Sequence, residues 1–203
     1  MANILIACEE SQAICKEFRK RGHNAFSCDI LECSGGHPEW HFKQDVLQVI
    51  PNHGGHLETG EEYFLPAGEE WDLMIAHPPC TYLSVSGARW LYHPDDANLP
   101  IEQRREHPHH IGRRKLKAEA EQFFLEFTKT KIKCWAIENP VGCMNTEYRK
   151  PDQIVQPFWF GDSASKKTCL WLHNLPLLIP TKMVDEGPRV VLSSGRSLPK
   201  WYS

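Results

Sequence analysis

Short apolar runs alternate with amphipathic stretches along most of the chain. The runs are too short for buried helices and predict buried strands. They lie at residues 3–8, 24–30, 73–76, 133–137 and 168–172. Between them, residues 11–22 and 113–130 carry apolar side chains at helical spacing, and each predicts a helix with one buried face. This alternation predicts an α/β fold with a doubly wound, mostly parallel sheet.

Two segments interrupt the alternation. Residues 51–70 contain four glycines and two prolines and are expected to form a surface loop. Residues 86–112 form a long polar insertion, and loops of that length are usually functional or disordered. A short tail is expected over residues 181–203. The pattern as a whole predicts a single domain over residues 1–203.

Composition and charge narrow the possible functions only slightly. The net charge of −3 excludes a protein that is basic overall, but it does not exclude a local basic surface. No apolar run approaches the roughly 18 residues of a membrane span, so no membrane association is expected. The start, MANILIACEE, lacks the basic and apolar regions of a signal peptide. We therefore expect a cytoplasmic protein whose eight cysteines are reduced.

The first candidate for chemistry is Cys80, in the stretch WDLMIAHPPCTYLS. Pro78 and Pro79 cannot extend a strand ladder, so they end the strand predicted at 73–76 and stiffen the backbone that follows. Cys80 is thereby held at the tip of a strand, which suits a nucleophile better than a core residue. His77 is interpreted as a local hydrogen-bonding residue.

The second candidate is the stretch AIENPVG, in which Glu138 and Asn139 end the strand predicted at 133–137. If the two strands are parallel neighbours, Cys80 and Glu138 emerge at the same edge of the sheet, where open α/β sheets bind ligands. A thiolate can attack an electron-poor carbon, while a carboxyl group protonates the heteroatom that receives the charge.

These two motifs together resemble the DNA cytosine-5 methyltransferases, which carry PPC and EN motifs at the corresponding places. The chain is most similar to short phage and prophage proteins of that family. Their pattern is followed by ENPVGCMNTEYRKPDQIVQPFWFGDSASKKTCLWLHNLP, residues 138–176, and the similarity extends over roughly residues 3–181. The resemblance implies a Rossmann-like sheet of the S-adenosylmethionine-dependent methyltransferase type, DNA as partner, and a phage-infected or prophage-bearing bacterial host.

The resemblance also implies catalytic roles. Cys80 would add to carbon 6 of cytosine, and Glu138, with Asn139 beside it, would hold and protonate ring nitrogen 3. Carbon 5 would then take the methyl group of S-adenosylmethionine. The late arginine motif of the family is replaced here by SKKTCLWL, so Lys166 or Lys167 is expected to support the site instead.

The expected cofactor site is less regular than in the family. The loop after the first strand is glycine-rich there, whereas here it reads ACEESQ without a glycine. A helix amino terminus near Ser11 is expected to receive the carboxylate of the cofactor, Asp29 the ribose hydroxyls and Asp45 the adenine amino group. The full set of expected cofactor residues is Cys8, Glu9, Ser11, Asp29, Ile30, Asp45 and Pro78.

The insertion 86–112 matches the position of the mobile catalytic loop of the family. The basic residues within and after it are expected to contact phosphates. The expected DNA-contacting residues are Ser84, Arg104, Arg105, Arg113 and Arg114. No separate target-recognition domain is expected, since neither the tail nor the late motifs leave room for a second core. A partner subunit would then have to supply any further specificity.

Each assignment has a structural alternative. Cys80 could be a buried thiol, the pair Glu138 and Asn139 a helix cap, Asp29 an N-cap, and the basic residues 104–117 a solvated helix face. A further pattern has metal-like spacing but matches no zinc-finger pattern, and no metal is expected. It comprises Cys28, Cys33, His37 and His41.

Two other functions also agree with the sequence. One is a related transferase that modifies pyrimidines in RNA or nucleotides with the same nucleophile. The other is a methyltransferase-like module that binds DNA or protein without catalysis, which the altered loop ACEESQ favours and the intact Cys80 and Glu138 oppose.

Overall fold

The structure is a computed structural model that describes residues 1–193, 195 and 197–200. Its strands are β1 (Asn3–Ala7), β2 (Asn24–Asp29), β3 (His41–Lys43), β4 (Gly54–His56), β5 (Glu62–Phe64), β6 (Leu73–Ala76), β7 (Cys134–Pro140), β8 (Gln153–Val155), β9 (Thr168–His173), β10 (Arg189–Val191) and β11 (Ser197–Pro199). Its α-helices are α1 (Ala13–Lys20), α2 (Val46–Asn52), α3 (Val85–Ala88), α4 (Arg113–Thr128) and α5 (Met144–Glu147).

The centre of the molecule is a seven-stranded sheet in the order β3-β2-β1-β6-β7-β9-β8. Strands β3, β2, β1, β6 and β7 run parallel to one another, and β9 is antiparallel to both of its neighbours. From β1 the chain adds β2 and β3 on one side of the sheet. From β6 it adds the later strands on the other side. The crevice between β1 and β6 is therefore the switch point at which ligands bind in such sheets.

Apolar side chains on both faces of the sheet explain why helices flank it on both sides. All five residues of β1 are buried. Ile4 and Ile6 pack with residues of α1, whereas Leu5 and Ala7 belong to the larger core that includes Phe124 of α4. A strand buried on both faces reads as a continuous apolar run, which is why the parallel strands were predictable. The prediction of a mostly parallel α/β sheet is confirmed.

The segment expected to be a loop at 51–70 is more ordered than its composition indicates. It contains the end of α2 and the antiparallel hairpin of β4 and β5. The glycines serve close backbone packing here, because a Cβ atom on Gly54 would lie 2.1 Å from the carbonyl oxygen of Tyr63. The glycines therefore led us to expect a loop, whereas in the structure they allow β4 and β5 to pack closely as a strand pair.

The insertion 86–112 is folded onto itself. It begins within α3, continues through short 3-10 turns, and is closed by a bridge between Tyr92 and Glu106. Inside it, Asp96 is 3% exposed and accepts hydrogen bonds from the backbone and guanidinium of Arg105. The ring of Trp90 packs edge-on against His107, with centroids 5.1 Å apart. Paired charges and edge-to-face ring packing thus give this polar segment a core of its own.

The predicted tail 181–203 contains the two-stranded sheet of β10 and β11, while residues 194, 196 and 201–203 lie outside the described residues. None of the helices in the described part of the chain is both long and apolar enough to cross a membrane.

Candidate active site at the carboxyl edge of the sheet

Cys80 lies just beyond β6, where the two prolines carry the chain away from the sheet. Pro78 is buried, whereas Pro79 and Cys80 are exposed. The carbonyl oxygen of Cys80 accepts hydrogen bonds from the amides of Leu83 and Ser84, both at 3.0 Å. The thiol is therefore accessible to solvent at the start of a tight turn, and the alternative of a buried structural thiol does not apply.

Glu138 lies on the neighbouring strand. β6 and β7 are parallel, and their register pairs Ala76 with Ile137. The strand continues through Pro140, with Glu138 opposite Leu170 of β9, so Glu138 and Asn139 form part of a ladder and not a helix cap. The expected parallel arrangement of the two motifs is thus present in the structure.

The side chain of Glu138 is held by His77. Nδ1 of His77 lies 3.1 Å from Oε2 of Glu138, and the two side chains are 24% and 23% exposed. The sequence interpretation gave His77 a local role and missed this partner, which is 61 residues away along the chain. Only the strand register reveals the pair, because the position after Ala76 lies beside the position after Ile137.

Asn139 braces the loop that carries Cys80. Its Nδ2 atom donates a 2.7 Å hydrogen bond to the carbonyl oxygen of Pro78, and its side chain is 2% exposed. The structure therefore gives Asn139 a contact that supports the loop, while the catalytic role implied by its motif stays a prediction.

The turn after Cys80 is also tied to the chain that follows β7. The amide of Cys143 donates to the carbonyl oxygen of Leu83 at 2.8 Å, and the amide of Val85 donates to Val141 at 3.2 Å. Gly142 makes this approach possible, because a Cβ atom there would lie 2.0 Å from the Leu83 oxygen. The two motif segments therefore form one connected unit.

Lys166 and Lys167 immediately precede β9 and are exposed. Because β9 is antiparallel to β7, its first residue, Thr168, lies opposite Pro140, and both lysines reach the same edge as Glu138. Within the described residues, neither ammonium group makes a hydrogen bond, and the partner of Glu138 is His77. The expectation that Lys166 or Lys167 supports the site stays a prediction, and among the described residues it does not take the form of a hydrogen bond to Glu138.

The ends of β1, β2 and β3 bring three expected cofactor residues together. Burial, together with the nearby carboxylates of Asp29 and Asp45, raises the pKa of the Cys8 thiol to about 12. Cys8 has a φ of 59°, a left-handed conformation that turns the chain sharply after β1. These acids therefore lie at the same carboxyl edge, beside the switch point.

Asp29 and Asp45 each use one carboxylate oxygen to organise their own loop. Oδ1 of Asp29 accepts from the amide of Leu31 at 3.0 Å, and Oδ1 of Asp45 accepts from Leu47 at 2.9 Å, which makes Asp45 the N-cap of α2. Ile30, directly after Asp29, is 73% exposed. Among the described residues, the second oxygen of each carboxylate accepts no hydrogen bond, and such an oxygen beside an exposed apolar side chain suits a ribose with its attached base.

The amino terminus of α1 is occupied by a side chain of the same protein. Glu9 is 6% exposed, and its two carboxylate oxygens accept hydrogen bonds from Ile14 at 2.7 Å and Cys15 at 3.2 Å. Ser11 accepts from the amide of Ala13 at 3.4 Å. The expectation that this terminus receives the carboxylate of a cofactor is corrected, because Glu9 satisfies the same donors and neutralises the helix dipole.

Two of the four arginines expected to contact phosphates are engaged inside the insertion. Arg104 donates to the carbonyl oxygens of Leu99 and Ala97, at 2.8 and 2.9 Å. Arg105 pairs with Asp96 at 2.7 Å. These contacts give both arginines a structural role that their sequence pattern did not indicate.

Of the remaining residues expected to contact DNA, Ser84 and Arg113 adjoin the turn after Cys80. Arg113 donates to the carbonyl oxygen of Thr81 at 3.0 Å and lies over the ring of Tyr82, so it supports the turn after Cys80. Arg114 lies over the ring of Tyr92. The hydroxyl of Ser84 is 3.0 Å from that of Ser86.

The metal-like pattern of cysteines and histidines is used for hydrogen bonding instead. His41 is buried, with Nδ1 at 2.8 Å from the hydroxyl of Ser27 and Nε2 at 3.0 Å from the carbonyl oxygen of Leu31. The thiol of Cys28 donates to the carbonyl oxygen of Gln44. Among the described residues, no group of three or more metal-binding side chains is suitably placed.

Compared with models of known protein families and with curated proteins, the sequence has no match. Membership of the cytosine-5 methyltransferases therefore stays a prediction that depends on the quoted motifs.

Proposed function

We propose that this protein is an S-adenosylmethionine-dependent DNA cytosine-5 methyltransferase. One observation carries the proposal: an exposed thiol, Cys80, and a half-buried carboxyl group, Glu138, stand at the carboxyl ends of two adjacent parallel strands. The seven-stranded, mostly parallel sheet is compatible with the methyltransferase type of Rossmann-like fold. The switch-point crevice beside β6 provides a place for a cofactor.

In the proposed reaction, the thiolate of Cys80 forms a bond to carbon 6 of cytosine while Glu138 donates a proton to ring nitrogen 3. The electron pair of the carbon 5–carbon 6 double bond then becomes available at carbon 5. When bound, S-adenosylmethionine supplies an electrophilic methyl group. Loss of the carbon 5 proton to solvent and expulsion of the Cys80 thiolate restore the double bond, and the carboxylate of Glu138 takes back the proton of ring nitrogen 3.

The nucleoside half of the cofactor fits the structure better than its amino acid half. Asp29, Ile30 and Asp45 offer carboxylate oxygens and an exposed apolar side chain beside the switch point. The amino terminus of α1 is closed by Glu9, so the carboxylate of the cofactor would need another donor. This chain would therefore hold the nucleoside in the usual place and the methionine group differently.

The substrate must present its cytosine outside a stacked duplex, because the atoms that react are shielded within it. Lys166 and Lys167 lie at the edge of the sheet that carries Glu138 and are exposed, so they can contact the phosphates that flank such a base. We place the reaction in the cytoplasm of a phage-infected or prophage-bearing bacterium. The eight free thiols agree with a reducing compartment.

Transfer of labelled methyl groups to defined DNA, followed by mass spectrometry of the nucleosides, tests the proposal. We expect 5-methylcytosine with the native protein and none with Cys80→Ala. Glu138→Gln should lower turnover by about 10²–10⁴-fold, because the amide cannot donate the required proton. DNA that contains 5-fluorocytosine should trap a covalent adduct on Cys80. Methylation by Cys80→Ala at a near-native rate would show that the nucleophile is wrong.

A second candidate function is a methyltransferase-like binding module without catalysis. It is favoured by the carboxylate of Glu9, which fills the helix terminus expected to bind the cofactor. Calorimetry with S-adenosylmethionine, with and without DNA, separates the two functions. Absence of cofactor binding in both experiments would favour the binding module, and methylation of RNA or free nucleotides in place of DNA would indicate a related pyrimidine transferase.

A further inference from the structure

We propose that His77 is the positioning residue that directs the acidic proton of Glu138 toward the substrate. The inference rests on the proposed cytosine chemistry, and it assigns to an imidazole the support that the motifs led us to expect from Lys166 or Lys167. Three features of the described residues carry it: the fixed backbone of His77, the buried state of its second ring nitrogen, and the free oxygen of Glu138.

The position of His77 is set by the sheet and by the prolines. Its amide donates a 2.9 Å hydrogen bond to the carbonyl oxygen of Ala7, which extends the pairing of β1 with β6 by one residue. Pro78 follows at once and restricts the backbone of the preceding residue. The imidazole is therefore presented to Glu138 by a rigid segment, with Nδ1 at 3.1 Å from Oε2.

The buried second nitrogen indicates which tautomer is present. Nε2 of His77 is buried and has no hydrogen-bond partner among the described residues. A proton on Nε2 would leave a buried N–H donor unpaired, which costs about 1–3 kcal/mol. An unpaired acceptor is tolerated more readily than an unpaired donor. In its neutral form, the ring therefore carries its proton on Nδ1, and this N–H group donates a hydrogen bond to Oε2 of Glu138.

This donation decides where a neutral Glu138 holds its own proton. Oε2 already accepts a hydrogen bond from the N–H group at Nδ1 of His77. A proton on Oε2 would therefore replace this hydrogen bond with a repulsive contact between two hydrogens. The acidic hydrogen must then reside on Oε1, which receives no hydrogen bond from any residue that the structure describes. A base seated beside Glu138 would meet a donor at Oε1, which is what protonation of a ring nitrogen requires.

A neutral imidazole suits this task better than a lysine. An ammonium group next to a carboxyl group favours the ionised carboxylate, which cannot donate a proton. A neutral N–H group orients the carboxyl group without adding a positive charge. The exposed ammonium groups of Lys166 and Lys167 are then free to contact phosphates.

Single-turnover methyl transfer by His77→Ala and His77→Asn tests the role. The amide nitrogen of asparagine takes the place of Nδ1, so it keeps the donor but removes the ring. We expect His77→Ala to lower the rate by about 10²-fold, with unchanged binding of DNA, and His77→Asn to restore most of that loss. The matched control is His56→Ala, because His56 forms a similar pair with Glu62 on an exposed hairpin, at 3.3 Å.

Two rate outcomes would overturn the proposal: a near-native rate for His77→Ala, or a His77→Asn variant that is folded and as slow as His77→Ala. Nitrogen NMR of the native imidazole provides a readout that does not depend on activity. We expect His77 in the Nδ1–H form, with that state lost in Glu138→Ala. The Nε2–H form in the native protein would overturn the proposal, and this result holds even if the chain methylates nothing.

Discussion

At the residue scale, the hydrogen bond from Asn139 to Pro78 should be worth more than its exposed counterparts. Removal of the donor leaves the buried carbonyl oxygen of Pro78 unpaired, which costs about 1–3 kcal/mol. We therefore expect Asn139→Ala to lower the melting temperature by roughly 2–4 °C for each kcal/mol. Calorimetry checks this, with Gln153→Ala as the control, because its two hydrogen bonds with the backbone of Leu178 are exposed. Equal shifts in the two variants would contradict the supporting role of Asn139.

Asp29 provides a second prediction at the same scale. Asp29→Ala should weaken binding of S-adenosylmethionine by about tenfold or more, since a charged hydrogen bond contributes about 1.5–3 kcal/mol. Calorimetry measures the affinity. Glu32→Ala is a suitable control, because Glu32 is an exposed acid close by in sequence and pairs with Lys43 at 2.8 Å. If only Glu32→Ala weakens binding, the ribose contact belongs to Glu32.

The sequence predicted that Cys80 and Glu138 lie at one edge of the sheet, but not the contacts that support them. Each residue follows an apolar run that reads as a strand, so a parallel sheet brings both to one edge. The partner of Glu138 could not be read in the same way. His77 meets Glu138 because of the register in which β6 and β7 pair. The spacing of residues along the chain does not reveal that register. The role of Glu9 was missed for a related reason, since a carboxylate that caps its own helix resembles one that awaits a ligand.

At the element scale, the buried parallel strands were predictable and the short ones were not. β1, β2, β6 and β7 are apolar enough to be recognised without partners. β3 and β8 have three residues each and carry polar side chains, so only their neighbours in the sheet make them strands. The insertion was recognised as unusual, but its internal ion pair lies outside any periodic pattern.

The insertion 86–112 should lose its fold in acid. Arg105 holds the pKa of Asp96 at about 2, against an ordinary value of 3.8. Because the pKa is lowered in the folded state, the stabilisation is fully present above about pH 4 and is lost as the pH falls toward 2. Asp96→Asn should open the segment even at neutral pH. Hydrogen exchange of residues 93–105 measures this, with Glu102→Gln, an exposed acid of the same segment, as the control.

If Asp96→Asn leaves exchange in residues 93–105 unchanged at neutral pH, the ion pair does not maintain the insertion. If Glu102→Gln opens the segment equally, the effect reflects general loss of negative charge. The expected difference between these variants arises because Asp96 is buried against Arg105, whereas Glu102 is exposed.

At the scale of the whole molecule, the proposed binding of DNA would have to depend on a local surface, because the net charge is −3. The basic segment 104–117 was the expected surface, but Arg104, Arg105 and Arg113 are engaged within the protein. Lys166 and Lys167 are the better candidates, since they are exposed at the edge that carries Glu138. Contacts of this kind bind phosphates and carry no information about sequence.

We therefore expect the purified chain to bind DNA with a steep salt dependence and to select little beyond a cytosine and one or two neighbours. Changing Lys166 and Lys167 together to Gln should reduce the salt slope by about 1–2 units and weaken all sequences alike. The same change at Lys131 and Lys133, at the opposite end of β7, is the control and should leave the slope unaltered. Titrations at several salt concentrations measure the slope, and bisulfite sequencing of treated DNA measures selectivity. A sharp recognition motif of four or more base pairs, methylated by this chain alone, would contradict phosphate-dominated binding, because such selectivity needs several side chains at base edges.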